Sequence, residues 1–451
     1  MTEDRITAAL RSATDTQEVH VADGALADVD RIFAACFGEQ PAVVIADGNT
    51  FEAAGREVHE RLAASGRPTE PPYVFPGRPV LYATYDNVGP VVESLRTHEA
   101  IPVAVGSGTL NDIVKRAAHE VERPYMVVAT AASMDGYSAF GASLAKDGHK
   151  QTVTCPAPRG VLADLDVLVA APKAMTAYGY GDLLGKVPAG ADWILADALA
   201  VEPIDPTVWS LVQGPLHASI GRPRELHDGE PDAMRALVEG LIMSGLAMQA
   251  HQSSRPASGA EHQFSHLWEM EGLGRDTDPP LSHGFKVGLG SIAIAALYER
   301  LLERDLGAIN IDAACAAWPD PATMEQTVLD AHPLLGQVAV KQTMAKYVSA
   351  DELRTRLERL AQRWPTLRDE LAAQLLPAAT LRAMLAAAGC PTEPADIGLD
   401  AASFRATYRR SQMIRSRYTV LDVAVETGLL DECVDELFAP GGYWAHLEGQ
   451  E

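Results

Sequence analysis

Ile101-Pro-Val-Ala-Val105 runs directly into Gly106-Ser-Gly-Thr-Leu-Asn-Asp112, and from Leu110 to Val121 apolar residues recur at helical intervals. An unbroken β-branched run has no polar face, so it reads as a strand covered on both sides, the usual state of a strand in a parallel sheet. The same unit repeats outward. Pro41–Ala46 is predicted as a buried strand ending at Asp47-Gly48, with helical spacing over Phe51–Leu62. Val80–Thr84 is a second strand-like run, with a helical segment over Val91–Arg96. Tyr125–Ala129 gives another strand, ending in Thr130-Ala-Ala-Ser133, and Leu165–Ala170 is predicted to be the last. Strands alternating with helices imply right-handed βαβ units and a mostly parallel sheet.

After about Met175 the character changes. Ala233–Ala250, Ser291–Leu302, Ala350–Leu371, Ala379–Ala388 and Val420–Leu437 have helical spacing, with proline-marked loops at Pro279-Pro280, Pro319–Pro321 and Pro391–Pro394. The expected organisation is an α/β domain over 1–174 followed by an all-α domain over 175–451.

The 451 residues include 37 Lys+Arg and 61 Asp+Glu, a formal charge of −24, which argues against nucleic acid or an anionic membrane as the main partner. A basic pocket for one phosphate is compatible with that balance. Hydrophobic residues make up 47%, enough for full cores and too many for a disordered chain. Cys36, Cys155, Cys315, Cys390 and Cys433 are scattered without a paired spacing, as expected in a reducing compartment. Met1–Ile6 has no signal-peptide pattern, and apolar stretches such as Ser291–Leu297 are too short for membrane insertion. A soluble cytoplasmic protein is expected.

Gly106, Gly108, Thr109, Leu110, Asn111 and Asp112 lie between a predicted strand and helix, where glycines let the backbone approach a pyrophosphate and the helix N-terminus offers N–H groups. No Gly-Lys-Ser/Thr follows, so this is no P-loop; an ordinary tight turn explains the glycines equally well. Asp47, at a strand end, suits a ribose diol and would repel a 2′-phosphate, favouring NAD over NADP; it suits an N-cap before Gly48 as well. Thr130–Ser138 carries hydroxyls, Asp135 and Gly136 after a strand, where ligands bind in open α/β sheets and where simple turns also form. Asp182 lies between glycines in Gly179–Lys186, His262 and His266 are four apart, and His283 follows the Pro279-Pro280 loop. One carboxylate with two imidazoles suits Zn, Ni or Fe(II) with positions open for substrate. There is no H-E-x-x-H, so a metalloprotease is excluded, while a polar helix face or core histidines would also account for the pair.

Taken in order, G-S-G-T-L-N-D, T-A-A-S-M-D-G-Y-S, G-Y-G-D-L-L-G-K with A-D-W after it, S-R-P-A-S-G-A-E-H-Q-F-S-H and S-H-G form a series. It resembles the sn-glycerol-1-phosphate dehydrogenase family, especially its bacterial AraM-like branch, within the iron-containing alcohol dehydrogenase and dehydroquinate synthase superfamily. The resemblance covers roughly Asp47 to Gly284. It implies a Rossmann-like N-terminal domain and a helical C-terminal domain, as in dehydroquinate synthase. It also implies that Asp47, the Gly108–Asp112 turn, Thr130 and Ser133 hold NAD(H). Asp135 would contact substrate, Asp182, His262 and His283 would bind one divalent metal with Asp182 also near the substrate, and His266 would contact substrate rather than metal. Two departures stand out: Ala139 occupies a position where family members often carry a hydroxyl, for which Ser138 would substitute, and the chain past about Asp320 matches poorly.

The implied reaction interconverts dihydroxyacetone phosphate and sn-glycerol 1-phosphate, a glycerophosphate or phospholipid role, in a homodimer or higher homo-oligomer. Lys150 and Arg255, beside the motifs, are candidates for the substrate phosphate. The alternatives are a polyol dehydrogenase acting on an unphosphorylated substrate, a carbocycle-forming synthase like dehydroquinate synthase, and a catalytically silent nucleotide binder.

Overall fold

The computed structural model describes residues 5–146 and 149–447, apart from the side chains at 146 and 149–151. Its strands are β1 (Glu18–Ala22), β2 (Ala42–Asp47), β3 (Tyr73–Phe75), β4 (Ile101–Gly106), β5 (Met126–Ala129), β6 (Ala142–Lys146), β7 (His149–Val153) and β8 (Gly160–Asp164). Six of them form one sheet in the order β1-β8-β5-β4-β2-β3, and β6 and β7 form an antiparallel hairpin of their own. Every pairing in the large sheet is parallel. Val44, Ala46, Val103, Val105, Val128 and Leu162 pack there against Ile32, Phe33, Val58 and Leu62 of the flanking helices. This is the expected α/β class, with helices following the sheet.

The chain leaves β2 toward the edge strand β3, then returns to the other side of β2 as β4 and continues outward through β5 and β8. The connections after β2 and β4 therefore diverge, leaving a crevice at their carboxyl ends, where open α/β sheets bind ligands. Asp47 ends β2 and Gly106 ends β4.

Several elements differ from the expectation. Val80–Thr84 forms no strand: Val80 is 49% exposed, so it lacks the burial that would drive pairing, and Tyr73–Phe75 takes the edge position beside β2. Leu165–Ala170 is a helix, not a strand. Asp164 closes the wholly buried β8 and its side chain accepts from the Asp166 N–H, capping the helix that follows. Over Phe51–Leu62 the helix begins with a wide turn at Phe51–Gly55 and regularises only from Arg56. Val420–Leu437 is two helices, Val420–Glu426 and Leu430–Phe438, interrupted at Gly428, whose φ of +73° is costly for other residues. β1 escaped the sequence pattern because all five of its residues are only half-buried.

The chain divides into two compact units. One comprises the chain up to Leu183, Thr207–Ala257 and Ala387–Gly389; the other comprises Leu184–Pro206, Ser258–Ala386 and Cys390 onward. A single cut at 174/175 does not describe this division, because Thr207–Ala257, whose helix Pro231–His251 packs beside β1, belongs with the sheet. Among the described residues no helix is long and apolar enough to cross a membrane.

In the sheet-containing unit, α1 (Gly108–Glu120), α2 (Lys173–Leu184) and α3 (Pro231–His251) surround the loop after β5. Gln249 of α3 donates to the Ser138 carbonyl, and its oxygen accepts from the Asp15 and Thr16 N–H groups. Gly179 of α2 lies against the same loop so closely that a Cβ there would sit 2.0 Å from the Ala132 carbonyl oxygen. That neighbour is backbone and cannot rotate away. Gly179→Ala is expected to destabilise the protein by about 1–3 kcal/mol through overpacking, net of the helix-propensity gain of up to about 1 kcal/mol. A thermal melt alongside the parent checks this.

Candidate metal and cofactor site

In the sheet-containing unit the loop after β5 is held from several sides. Asp182, on the last turn of α2 and 1% exposed, accepts from the Asp135 N–H through Oδ2 at 3.1 Å. The Asp135 carboxylate in turn accepts from the Ser244 hydroxyl of α3 at 2.8 Å. The structure thus couples two acidic residues that sequence reading listed separately, and adds Ser244. Ser133 is half-buried, its hydroxyl 3.3 Å from that of Tyr137, which donates to the Ala131 carbonyl. Burial pushes the Tyr137 phenol well above its ordinary value. The buried Thr130 donates its N–H to the Gly106 carbonyl, fastening this loop to the end of β4.

At the Gly-rich turn, Ser107 precedes α1 without capping it, so the first-turn N–H groups of Gly108, Thr109 and Leu110 are not taken by a side-chain cap. Cβ atoms at Gly106 and Gly108 would meet the side chains of Leu110 and Met134 respectively, which is why both positions are glycine. Asn111 and Asp112 have structural partners. The Asn111 amide donates to the Gly136 carbonyl and accepts from Tyr125; Asp112 accepts from the Ser143 N–H and lies 3.7 Å from Lys115. Ser138 is fully buried and its hydroxyl donates to the Ile242 carbonyl, so it is not the exposed substitute for the hydroxyl missing at Ala139. Asp47 caps the turn at Gly48–Thr50, with Oδ1 accepting from the Asn49 and Thr50 N–H groups. Arg255 is wholly buried, and its backbone N–H donates to the Ser253 hydroxyl. Lys150 falls in β7, and its side chain lies outside the described residues.

The other unit places all three histidines together. α4 (Lys186–Ala198), α5 (Ala260–Met270) and α6 (His283–Leu302) converge on the buried Asp192 of α4. Its carboxylate accepts from the Ala260 N–H at 2.7 Å, from the Tyr298 hydroxyl at 2.6 Å and from the Val420 N–H at 2.8 Å. The first of these bonds puts a negative charge at the N-terminus of α5 and sets that helix's start two residues before His262. The i, i+4 spacing then stacks His262 and His266 on one face, and Ser282 starts α6 by accepting from the Phe285 N–H. Ring centroids are 5.2 Å apart for His262 and His283, and 5.8 Å from each of these to His266.

Each of the two proposed ligand histidines has its own carboxylate. His262 Nδ1 lies 2.7 Å from Glu261 Oε1, and His283 Nδ1 lies 3.0 Å from Glu269 Oε1 and from the Ser265 hydroxyl. A carboxylate accepts only, so both imidazoles carry the Nδ1 proton and turn a lone pair outward at Nε2. This outer partner is the usual companion of a metal-bound histidine, fixing tautomer and raising basicity. The donor chemistry therefore fits a divalent ion. Within this unit, His266, Glu269 and His283 are one set of described residues that could hold an ion.

His266 is different. Its Nδ1 accepts from the Arg415 Nε at 3.3 Å, so its proton sits on Nε2. Burial first, and then the Arg415 guanidinium, push it well below the ordinary imidazole value, keeping it neutral. Glu261, Glu269, Ser265 and Arg415 were not singled out in the sequence. No spacing rule marks Arg415, which lies 149 residues from His266 along the chain; for Glu261 the one available signal is its position beside His262.

A parallel sheet with a crevice at its carboxyl ends and a histidine–carboxylate donor set suit a metal-dependent, nucleotide-binding enzyme. Residues 20–172 match the family model for iron-containing alcohol dehydrogenases. The glycerol-1-phosphate dehydrogenase (NAD(P)+) of Bacillus subtilis is 37% identical over 268 residues, which is 59% of this chain and 68% of that protein. Its counterpart of the same name from Methanosarcina mazei is 31% identical over 283 residues, 62% of this chain and 76% of that one. Among solved structures, glycerol dehydrogenase from Schizosaccharomyces pombe shares the fold with a TM-score of 0.59 at 16% identity, covering 97% of this chain and 93% of that chain. Sulfoacetaldehyde reductase from Bifidobacterium kashiwanohense in complex with NAD+ does so with a TM-score of 0.58 at 13% identity, covering 97% and 99%. This chain belongs to the glycerol-1-phosphate dehydrogenase family.

The outer carboxylates give a direct test. Glu261→Gln removes the charge behind His262 while keeping an acceptor of the same shape, and is expected to weaken metal binding by roughly 10–100-fold. Metal titration of chelator-stripped protein measures it; parent-like affinity would show that Glu261 supports only the fold.

Proposed function

We propose that this protein interconverts dihydroxyacetone phosphate and sn-glycerol 1-phosphate, using NAD(H) and one divalent ion held by Asp182, His262 and His283. The observation that carries this reading is the pair of histidines, each oriented by its own carboxylate. When bound, the ion polarises the ketone oxygen as a Lewis acid and the nicotinamide supplies the hydride. The donor set accepts Zn, Ni or Fe(II) alike.

The chain's own residues supply orientation and the proton. Asp47 at the end of β2 meets the ribose diol, while Gly106, Gly108 and the first turn of α1 at the end of β4 cradle the pyrophosphate. Thr130 and Ser133, on the next loop, line the same crevice. Asp135, steadied by the Ser244 hydroxyl, accepts from a substrate hydroxyl. His266 holds its proton on Nε2 and presents it to the oxygen that becomes the alcohol.

Two measurements test the reading. NADH oxidation with dihydroxyacetone phosphate is expected to disappear on chelation, to return with one added metal, and to be lost together with bound metal in His262→Ala. Turnover of dihydroxyacetone as fast as its phosphate would instead indicate a polyol dehydrogenase. Asp47→Asn keeps an acceptor for the cap but removes the charge that repels a 2′-phosphate. It is expected to raise the NADPH-to-NADH ratio of kcat/KM several-fold, and an unchanged ratio would remove Asp47 from the cofactor site.

A further inference from the structure

We propose that Arg415 receives a phosphate monoester and so sets the preference for a phosphorylated ketone, an inference that rests on the reaction proposed above. Among the described residues Arg415 has one hydrogen bond, from Nε to His266 Nδ1, and no ion pair. The Nη groups therefore keep their donors for a ligand, on a side chain already docked against the histidine assigned to substrate. The acidic residue acting on the guanidinium is Glu269, which shares its charge with His283 through Oε1 and makes no ion pair with Arg415. A half-buried arginine without an ion pair, beside a neutral imidazole, marks a place for an anion. The same cation makes His266, Glu269 and His283 a poor second metal site, although their donor atoms lie within 4.8 Å of one another.

The support under Arg415 is unusual for an irregular segment. Thr343 donates to the Met413 carbonyl, Lys346 to the Gln412 carbonyl and Gln263 to the Arg417 carbonyl, while the Ser416 N–H donates to Gln342. Met413 and Ile414 are buried in a core with Leu267 of α5, Met324, Val328 and Leu335. Residues on both sides of Arg415 are thus fixed to α5 and to the segment around the helix Gln337–Met344, which holds the Arg415 guanidinium in place. A fork that is already positioned loses little freedom when it takes two phosphate oxygens.

The test uses the whole protein with its metal, inorganic phosphate as probe, and Arg415→Met beside Arg415→Lys. Calorimetry is expected to show phosphate binding to the parent, weakened about 10–100-fold in Arg415→Met, as expected for loss of a charge-assisted bidentate contact. Arg415→Lys is expected to fall between, because lysine keeps the charge but not the fork. In kinetics, KM for dihydroxyacetone phosphate is expected to rise by a similar factor, with KM for NADH unchanged. Parent-like phosphate affinity in Arg415→Met overturns the proposal, as does a rise in KM for NADH instead, which would assign the residue to the cofactor's phosphates. Should Arg415→Met fail to fold, Arg415→Lys decides by the same two readouts. A parent that binds phosphate through Arg415 but reduces neither ketone would sink the proposed reaction and leave the anion site standing.

Discussion

One buried carboxylate organises the helical unit. Asp192 accepts from the first turn of α5, from a tyrosine on α6 and from the start of the helix at Val420, so three segments distant in the chain are fixed to one side chain. A fully buried carboxylate is tolerable only when its oxygens are satisfied, and this one has charge-assisted partners throughout. Gly259 belongs to the same arrangement, since a Cβ there would lie 2.4 Å from Asp192 Oδ2. The start of α5 sets the heights of His262 and His266, and α6 begins with His283. The relative positions of the imidazoles are therefore a consequence of where Asp192 is buried.

On this frame the site is built outward in layers of hydrogen bonds. Glu261 and Glu269 choose which nitrogen of each proposed ligand carries a proton, and Arg415 makes the opposite choice for His266. Adjacent imidazoles thereby acquire different chemistry without differing in residue type. Two present a lone pair and the third presents an N–H. In the sheet-containing unit a parallel logic holds: Ser244 orients Asp135, and the Asp135 N–H orients Asp182. Both units place acidic groups where only hydrogen bonds keep them tolerable, which is costly for stability and useful for binding.

Where the sequence could be read, it was because a local rule carried the information. The run from Ile101 to Val121 encodes strand, turn and helix through β-branching, glycine and helical spacing, and the structure has all three there. Rules of that kind failed where burial decided. Leu165–Ala170 has strand-like composition but follows a capping Asp164 at the end of β8, and Val80–Thr84 gains only a single bridge, from Thr84 to Ala145. β1 is short and only half-buried throughout. The departure at Ala139 is also settled by packing, because Ser138 points into the protein toward Ile242.

The sequence by itself determined the class of fold, the family, and the residue types assigned to cofactor, metal and substrate, because strand-and-helix periodicity and short motifs are local properties of a chain. Tertiary structure decided which nitrogens are protonated, which predicted residues are absorbed by the fold, and which cation has donors to offer. Asn111 and Ser138 have their polar groups engaged inside the protein and Arg255 is wholly buried, whereas Arg415 stands beside His266 with its fork available. These are matters of hydrogen-bond partnership between segments up to 228 residues apart, as between Val420 and Asp192. Such a partnership has no periodicity and no spacing, so it exists only once the chain has folded.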